Sequence, residues 1–187
     1  MATTEPIRDK DQLRELTSYF LNKGDRRNHA LVNLCLHTVL RISDILNLKT
    51  DDVYDYKNRC VRKDIHLKEQ KTGKTKTVAI HSKLSKALNL YFPSTSQGQA
   101  LILSPKSNKS ISRTQAFRII RDAGNVLGIG RISCHSLRKT FGYHSWKDGV
   151  HIAVIMEIYN HSNFEVTRRY LGITQDDKND AYLNFCA

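Results

Sequence analysis

Proline and glycine are scarce in this chain, at 3 and 9 of 187 residues. That scarcity excludes a collagen-like or low-complexity chain and leaves helices few interruptions. No run approaches the ~18 consecutive apolar residues of a membrane-spanning helix. The first residues, Met1-Ala2-Thr3-Thr4-Glu5-Pro6, lack the basic-then-apolar order of a secretion signal. The 4 cysteines (Cys35, Cys60, Cys134, Cys186) form no C-x-x-C pair, so spacing supports neither a zinc site nor a disulfide framework. They are expected as free thiols in a reducing cytoplasm. Acidic residues are also in short supply: 18 Asp and Glu face 30 Lys and Arg, for a formal charge of +12. With 40% hydrophobic residues the chain is too apolar for a disordered basic tail and has the material for one packed core. The expected class is a compact cationic protein facing a polyanion, nucleic acid above all.

What is there is mainly helical periodicity. Leu13, Leu16, Tyr19 and Phe20 fall at helical spacing within 9–21, and Gly24-Asp25 interrupts the run. From Arg26 to Leu40 the residues are apolar nearly all round, which predicts a buried core helix. Ile42, Ile45, Leu46 and Leu48 repeat the spacing directly after Arg41. The character changes at Tyr54. Val61, Ile65 and Leu67, then Val78 and Ile80, flank Lys71-Thr72-Gly73-Lys74 and predict a β-hairpin. Helices are expected over Ser82–Leu90, from a capping box at Ser112–Gln115 to about Leu127, over His135–Lys147 and over Val150–Ile158. A short strand is expected at Ala100–Leu103, and a last helix after the Thr174–Asp177 capping pattern. Without a repeat or an interdomain linker, residues 1–187 read as a single α+β domain, mainly helical, with a small antiparallel sheet.

The charge is clustered. The segment from Lys57 to Lys76 carries +6, Ser104 to Arg121 holds five basic residues and no acid, and the tail after Tyr170 is at −2. Four sites within this pattern carry side chains suited to phosphate chemistry. Arg41 interrupts an apolar stretch, where a guanidinium must be paired or must hold an anion; Asp44, three residues on, is the local candidate partner. His135 and Arg138 share one face of a helix start and are either a cap with a surface arginine or a pair for neighbouring phosphate oxygens. Tyr170, nine residues after His161 and flanked by Arg168 and Arg169, is either an amphipathic contact or a phenol prepared as a nucleophile by nearby cations. Lys71 at the hairpin turn is either a surface lysine or a proton donor that swings into a groove, with Lys74 and Lys76 competing for the role.

Taken in chain order, Arg41, Lys71, His135-x-Leu137-Arg138, His161-Ser162 and Tyr170 resemble the boxes of the tyrosine recombinase (phage-type integrase) catalytic domain. Asp44 stands at the acidic position of the first box, and the resemblance runs from the first helix to beyond Tyr170. It implies the family's catalytic-domain fold and a catalytic set of Arg41, Lys71, His135, Arg138, His161 and Tyr170. Tyr170 would attack a DNA phosphodiester to give a 3′-phosphotyrosine. Arg41 and Arg138 would clamp the non-bridging oxygens, His135 would move the Tyr170 proton, His161 would hold the phosphate, and Lys71 would protonate the leaving 5′-oxygen. Neither metal, ATP nor another cofactor is implied.

Two departures stand out. Only a single helix is expected ahead of the one leading into Arg41, so the helical DNA-clamping domain that the resemblance implies is expected to be missing, the chain being either a cut-down piece or a compact natural member; and Tyr159-Asn160 replaces the usual Leu-Gly before His161. The segment 171–187, with Tyr182, Leu183 and Phe185, is expected to form a helix that docks on a neighbouring protomer or packs in cis. The protein is expected to be a monomer in solution and a tetramer on double-stranded DNA, away from membranes, in the cytoplasm at the nucleoid of a bacterium or mobile element. Two rivals share these residues: a type IB topoisomerase-like enzyme that nicks and reseals one strand, and a catalytically idle DNA-binding module.

Overall fold

The computed structural model describes residues 4–184. In chain order it contains α1 (Lys10–Asn22), α2 (Arg26–His37), α3 (Ile42–Asn47), α4 (Thr50–Val53), β1 (Tyr54–Asp55), β2 (Cys60–Val61), β3 (Asp64–Lys68), β4 (Thr75–Ala79) and α5 (Ser82–Tyr91). After a single 3₁₀ turn at Phe92–Ser94 come α6 (Arg113–Val126), α7 (Cys134–Lys147), α8 (Ile152–Tyr159), α9 (Phe164–Leu171) and α10 (Gln175–Leu183). This is the mainly helical α+β fold the residues predict.

Local chemistry sets the helix boundaries. The Asp9 and Asp25 carboxylates accept from backbone N–H groups in the first turns of α1 and α2. Ser112 and Gln115 close the expected capping box at the start of α6, and Thr174 and Asp177 bond reciprocally ahead of most of α10. Nine consecutive residues of α2, Asn28–Leu36, are buried, and the helix packs against α1, α5 and α7. The expected core helix is therefore present but shorter, because Val39 adopts a left-handed backbone (φ 56°) and reverses the chain before Arg41. A β-branched residue there is strained, and such strain concentrates where a fold must aim a functional group.

The hairpin forms with Asp64 opposite Ala79 and Lys68 opposite Thr75. Val61, expected in its first strand, pairs instead with Tyr54 in the small β1–β2 ribbon. The strand expected at Ala100–Leu103 does not form. Leu101 and Ile102 are fully buried, and only isolated bridges at Lys49–Ala100 and Leu103–Ser110 tie this segment down. Helix α9, which short amphipathic spacing had not marked, begins at an Asn163 cap and ends at Gly172 in the left-handed region.

Apolar packing divides in two. The main cluster runs from Ile7 and α1 through α2, α5 and α6 to Leu137. A smaller cluster of Val39, Ile155, Tyr159 and Leu171 gathers Phe141, Trp146 and Tyr170 around it. Cys35, Cys60 and Cys134 are free thiols, as expected. Among the described residues no helix is long and apolar enough to cross a membrane. Cys186 and the expected apolar contact Phe185 lie outside the described residues.

Candidate active site

Five of the six residues singled out in the sequence converge where α3, α7, the α8–α9 turn and α9 meet. Arg41 is the N-cap residue of α3, with an extended backbone (φ −70°, ψ 147°), so its side chain leaves ahead of the helix instead of lying along it. Its carboxylate partner is not Asp44. Arg41 Nη1 lies 3.1 Å from Oε2 of Glu69, whose side chain is fully buried. Asp44 instead accepts from the backbone N–H of Gln70 at 3.0 Å and so holds the hairpin turn.

Arg138 lies on α7 and is 3% exposed. It donates to the Val39 carbonyl that the left-handed turn presents, and more weakly to the Tyr159 carbonyl at 3.4 Å. The Tyr159 hydroxyl returns a 2.5 Å hydrogen bond to the Arg138 carbonyl, and the guanidinium lies 4.9 Å from the centre of the Tyr159 ring. This reciprocal arrangement fixes the guanidinium from behind. Burial pushes the Arg138 pKa down, against the opposing influence of Tyr170 and Tyr159.

Tyr170 stands edge-on to both imidazoles, with centroids 4.9 Å from His135 and 4.7 Å from His161. The cations over its ring are Arg138 and Lys139 of α7, at 5.9 and 5.8 Å. They are not its sequence neighbours. Arg168 pairs with Glu165 at 2.8 Å, because residues adjacent in a helix point in different directions. His161 bonds Thr167 Oγ1 through Nδ1 at 3.0 Å. Its pKa falls to about 4 through burial, then the charges of Arg138, Arg41 and Lys76. Burial, followed by the charges of Lys139 and Arg138, also lowers that of His135. Both imidazoles are therefore neutral at pH 7, so either ring is able to accept a proton.

The hairpin lysine is the residue the structure keeps apart. Lys71 is exposed at the turn and has no hydrogen-bond or ion-pair partner among the described residues. Lys76 on β4 reaches the site instead. Its ammonium donates to the Ile158 carbonyl at 2.6 Å, and burial, then the Arg138 charge, lowers its pKa to about 8. Sequence reasoning named Lys76 only as a competitor and missed Glu69, Tyr159 and Lys139. One signal was available for Glu69: it is one of two acids in a segment of charge +6.

One feature of this pocket decides its chemistry. Among the described residues, the buried side-chain polar atoms outside regular hydrogen-bond geometry are Arg41 Nη1, whose contact is the ion pair with Glu69, and Arg138 Nε, Asp44 Oδ2 and Glu69 Oε1. All four belong to this one site, and two of them are cationic donors. Among the described residues no group of three or more His, Cys, Asp and Glu is gathered to hold a metal ion.

The sequence model of the phage integrase family matches residues 8–176. The chain belongs to the phage integrase family. The probable integrase/recombinase YoeC of Bacillus subtilis is 36% identical over 185 residues, covering 99% of this chain and 98% of the relative. A tyrosine recombinase of Pseudothermotoga lettingae is 30% identical over 84% of this chain but 53% of its own length. In fold, the chain superposes on the crystal structure of XerA recombinase with a TM-score of 0.78 at 24% identity, covering 97% of this chain and 65% of that one. It superposes on XerH recombinase, in a post-cleavage complex with difH substrate, with a TM-score of 0.77 at 17% identity. That match covers 98% of this chain and 52% of XerH. This family member thus spans YoeC nearly end to end, and about half of the P. lettingae and XerH proteins.

Proposed function

We propose that this family member cleaves and rejoins duplex DNA through a covalent bond between Tyr170 and a 3′-phosphate. The observation that carries the reading is the pair of guanidinium groups that meet at this site: Arg138, buried, with Nε unpartnered and the Tyr170 ring 5.9 Å away, and Arg41, whose Nη1 is held by the Glu69 carboxylate. A buried guanidinium donor without an acceptor is costly, and two guanidinium groups converging on one point suit an anion. A phosphodiester supplies oxygens of that kind.

In the proposed cleavage step the Tyr170 oxygen bonds to phosphorus and the bond to the 5′-oxygen breaks. The neutral His135 takes the phenolic proton. Arg41, Arg138 and His161 stabilise the charge that builds on the non-bridging oxygens. Lys71 gives a proton to the departing 5′-oxygen. Lys71 is preferred to Lys76 because its ammonium is uncommitted, whereas that of Lys76 is held by Ile158. Rejoining is the reverse step with a new 5′-hydroxyl, so the bond energy is conserved and no ATP is consumed.

We read residues 1–187 as one catalytic domain that acts as a tetramer on DNA at the nucleoid. The exposure of Tyr182 (81%) and Leu183 (82%) on α10 supports docking of this helix on a neighbouring protomer. The test is a nicked suicide duplex carrying the element's own junction sequence. A covalent, SDS-resistant adduct is expected from the unaltered protein and none from Tyr170→Phe. An adduct that survives that substitution removes Tyr170 as the nucleophile. Strand exchange between two duplexes, as against simple relaxation of a supercoiled plasmid, separates a recombinase from a topoisomerase-like enzyme.

A further inference from the structure

The pocket holds a carboxylate that the proposed cleavage step leaves without a task. Glu69 is 1% exposed and sits where a negatively charged phosphate must enter, so its charge opposes binding. Burial alone would raise its pKa. The hydrogen bond from Thr72 and the Arg41 guanidinium beside it outweigh that and hold it below the usual range, so the group is ionised at neutral pH.

Its contacts indicate what it does. Oε2 accepts from Thr72 Oγ1 at 2.7 Å and from Asn160 Nδ2 at 3.2 Å, and lies 3.1 Å from Arg41 Nη1. One oxygen therefore joins three places: the start of α3, the hairpin turn, and the turn that presents His161. The backbone of the hairpin turn is fixed as well. Glu69 N–H donates to Lys74 O at 2.9 Å, Gly73 N–H donates to Glu69 O at 2.8 Å, and Gln70 N–H is held by Asp44. Residues 69, 70, 72 and 73 are thus all pinned by a backbone or side-chain hydrogen bond, and the Lys71 side chain in their midst is free. Asn160 takes part through an unusual backbone: at φ 56° it occupies the left-handed region that glycine favours. Glycine would make the same turn without an amide to reach Glu69.

We propose that Glu69 is a positioning residue for the proton donor, fixing the Lys71 turn against the phosphate-facing Arg41 and the His161 turn, with Asn160 as its second anchor. This rests on the cleavage reading above, in which Lys71 protonates the leaving 5′-oxygen. The rival role for Glu69 is neutralisation of a buried arginine. The two roles part at the leaving group. An alkoxide needs a proton as the phosphorus–oxygen bond breaks. A 5′-bridging sulfur leaves as a thiolate, whose conjugate acid has a pKa of about 8.5, and needs no donor.

The experiment measures single-turnover cleavage of two suicide duplexes, one with the ordinary 5′-oxygen and one with sulfur in its place. The unaltered protein and the Lys71→Ala, Glu69→Ala, Glu69→Gln and Asn160→Gly variants are compared. On the oxygen substrate Lys71→Ala is expected to be slower by about 10²–10⁴-fold, the usual worth of general acid catalysis. Glu69→Ala is expected to lose about 10²-fold, as misplacement of a catalytic group does. Glu69→Gln, which keeps an acceptor for Thr72 and Asn160, loses less, and Asn160→Gly is affected in the same direction. On the sulfur substrate all four return towards the unaltered rate. Because both substrates are cut by the same sample, a partly unfolded variant leaves the ratio of rates unchanged. Equal slowing of Glu69→Ala on both substrates, or no slowing on either, overturns the inference. Sulfur rescue of Lys76→Ala in place of Lys71→Ala also overturns it, by moving the donor. No adduct from the unaltered protein on either substrate overturns the cleavage reading itself.

Discussion

Tyr159 shows how one side chain organises this site. Its ring is fully buried, stacks 5.1 Å from His161, stands 5.2 Å from Tyr170 and lies beneath the Arg138 guanidinium. Burial, opposed by the Arg138 charge, drives its own pKa well up, so it stays a neutral donor to the Arg138 carbonyl. The space for it is made by Gly142 on α7, where an added Cβ would fall 2.6 Å from the Tyr159 hydroxyl oxygen. Gly142→Ala is therefore expected to destabilise the protein by about 1–3 kcal/mol, the usual cost of overpacking a tight core. With Tyr159→Leu already in place the same change becomes neutral or stabilising, since alanine is better than glycine inside a helix by roughly 0.5–1 kcal/mol. Chemical denaturation of the four proteins in this cycle checks the reversal; an unchanged penalty for Gly142→Ala would mean the clash lies elsewhere. Arg41, His135, Arg138, His161 and Tyr170 were legible as a set because each lies in a short box of fixed spacing. Their partners were not. The Arg41–Asp44 expectation assumed helical neighbours, but Arg41 precedes the helix, and Glu69 lies 28 positions away, where spacing carries no information.

At the level of elements, long helices were readable and short pieces were not. Helices α1, α2, α6 and α7 announce themselves by period and by cap residues. The two-residue strands β1 and β2 are too short to show alternation, and Ala100–Leu103 is apolar through burial without pairing as a strand. Connections between elements also carry a pH dependence. His37, at the end of α2, stacks 4.9 Å from His81, the cap of α5. Burial, then the nearby His81 and Lys83 charges, brings the His37 pKa to about 4, as it is for His161. Below about pH 6.5 the unfolded chain takes up protons at both imidazoles, while the folded chain refuses them until about pH 4. Stability from these two groups is complete above that window and falls as pH drops through it. Melting temperature is thus expected to decline from pH 6.5 to pH 4, with a shallower decline for His37→Gln. A melting temperature that is flat across this window would show that neither histidine is held neutral by the fold.

Over the whole molecule, the two apolar clusters differ in size and in what they carry. The larger holds α1, α2, α5 and α6; the smaller holds α8 and α9, and with them the segment that ends in Tyr170. Structural units with fewer buried contacts open at lower free energy than the global transition. The chain has a single tryptophan, Trp146, and it packs on the smaller cluster. Its fluorescence therefore reports on the smaller cluster, whereas far-ultraviolet circular dichroism averages over every helix. In a denaturant titration the fluorescence midpoint is expected to precede the dichroism midpoint, and amides of α8 and α9 to exchange with solvent before those of α2. Coincident midpoints would show that the two clusters melt as one unit. The separation would make the single indole a built-in gauge of local opening, one that reads whether the nucleophile's support is closed without a label being added.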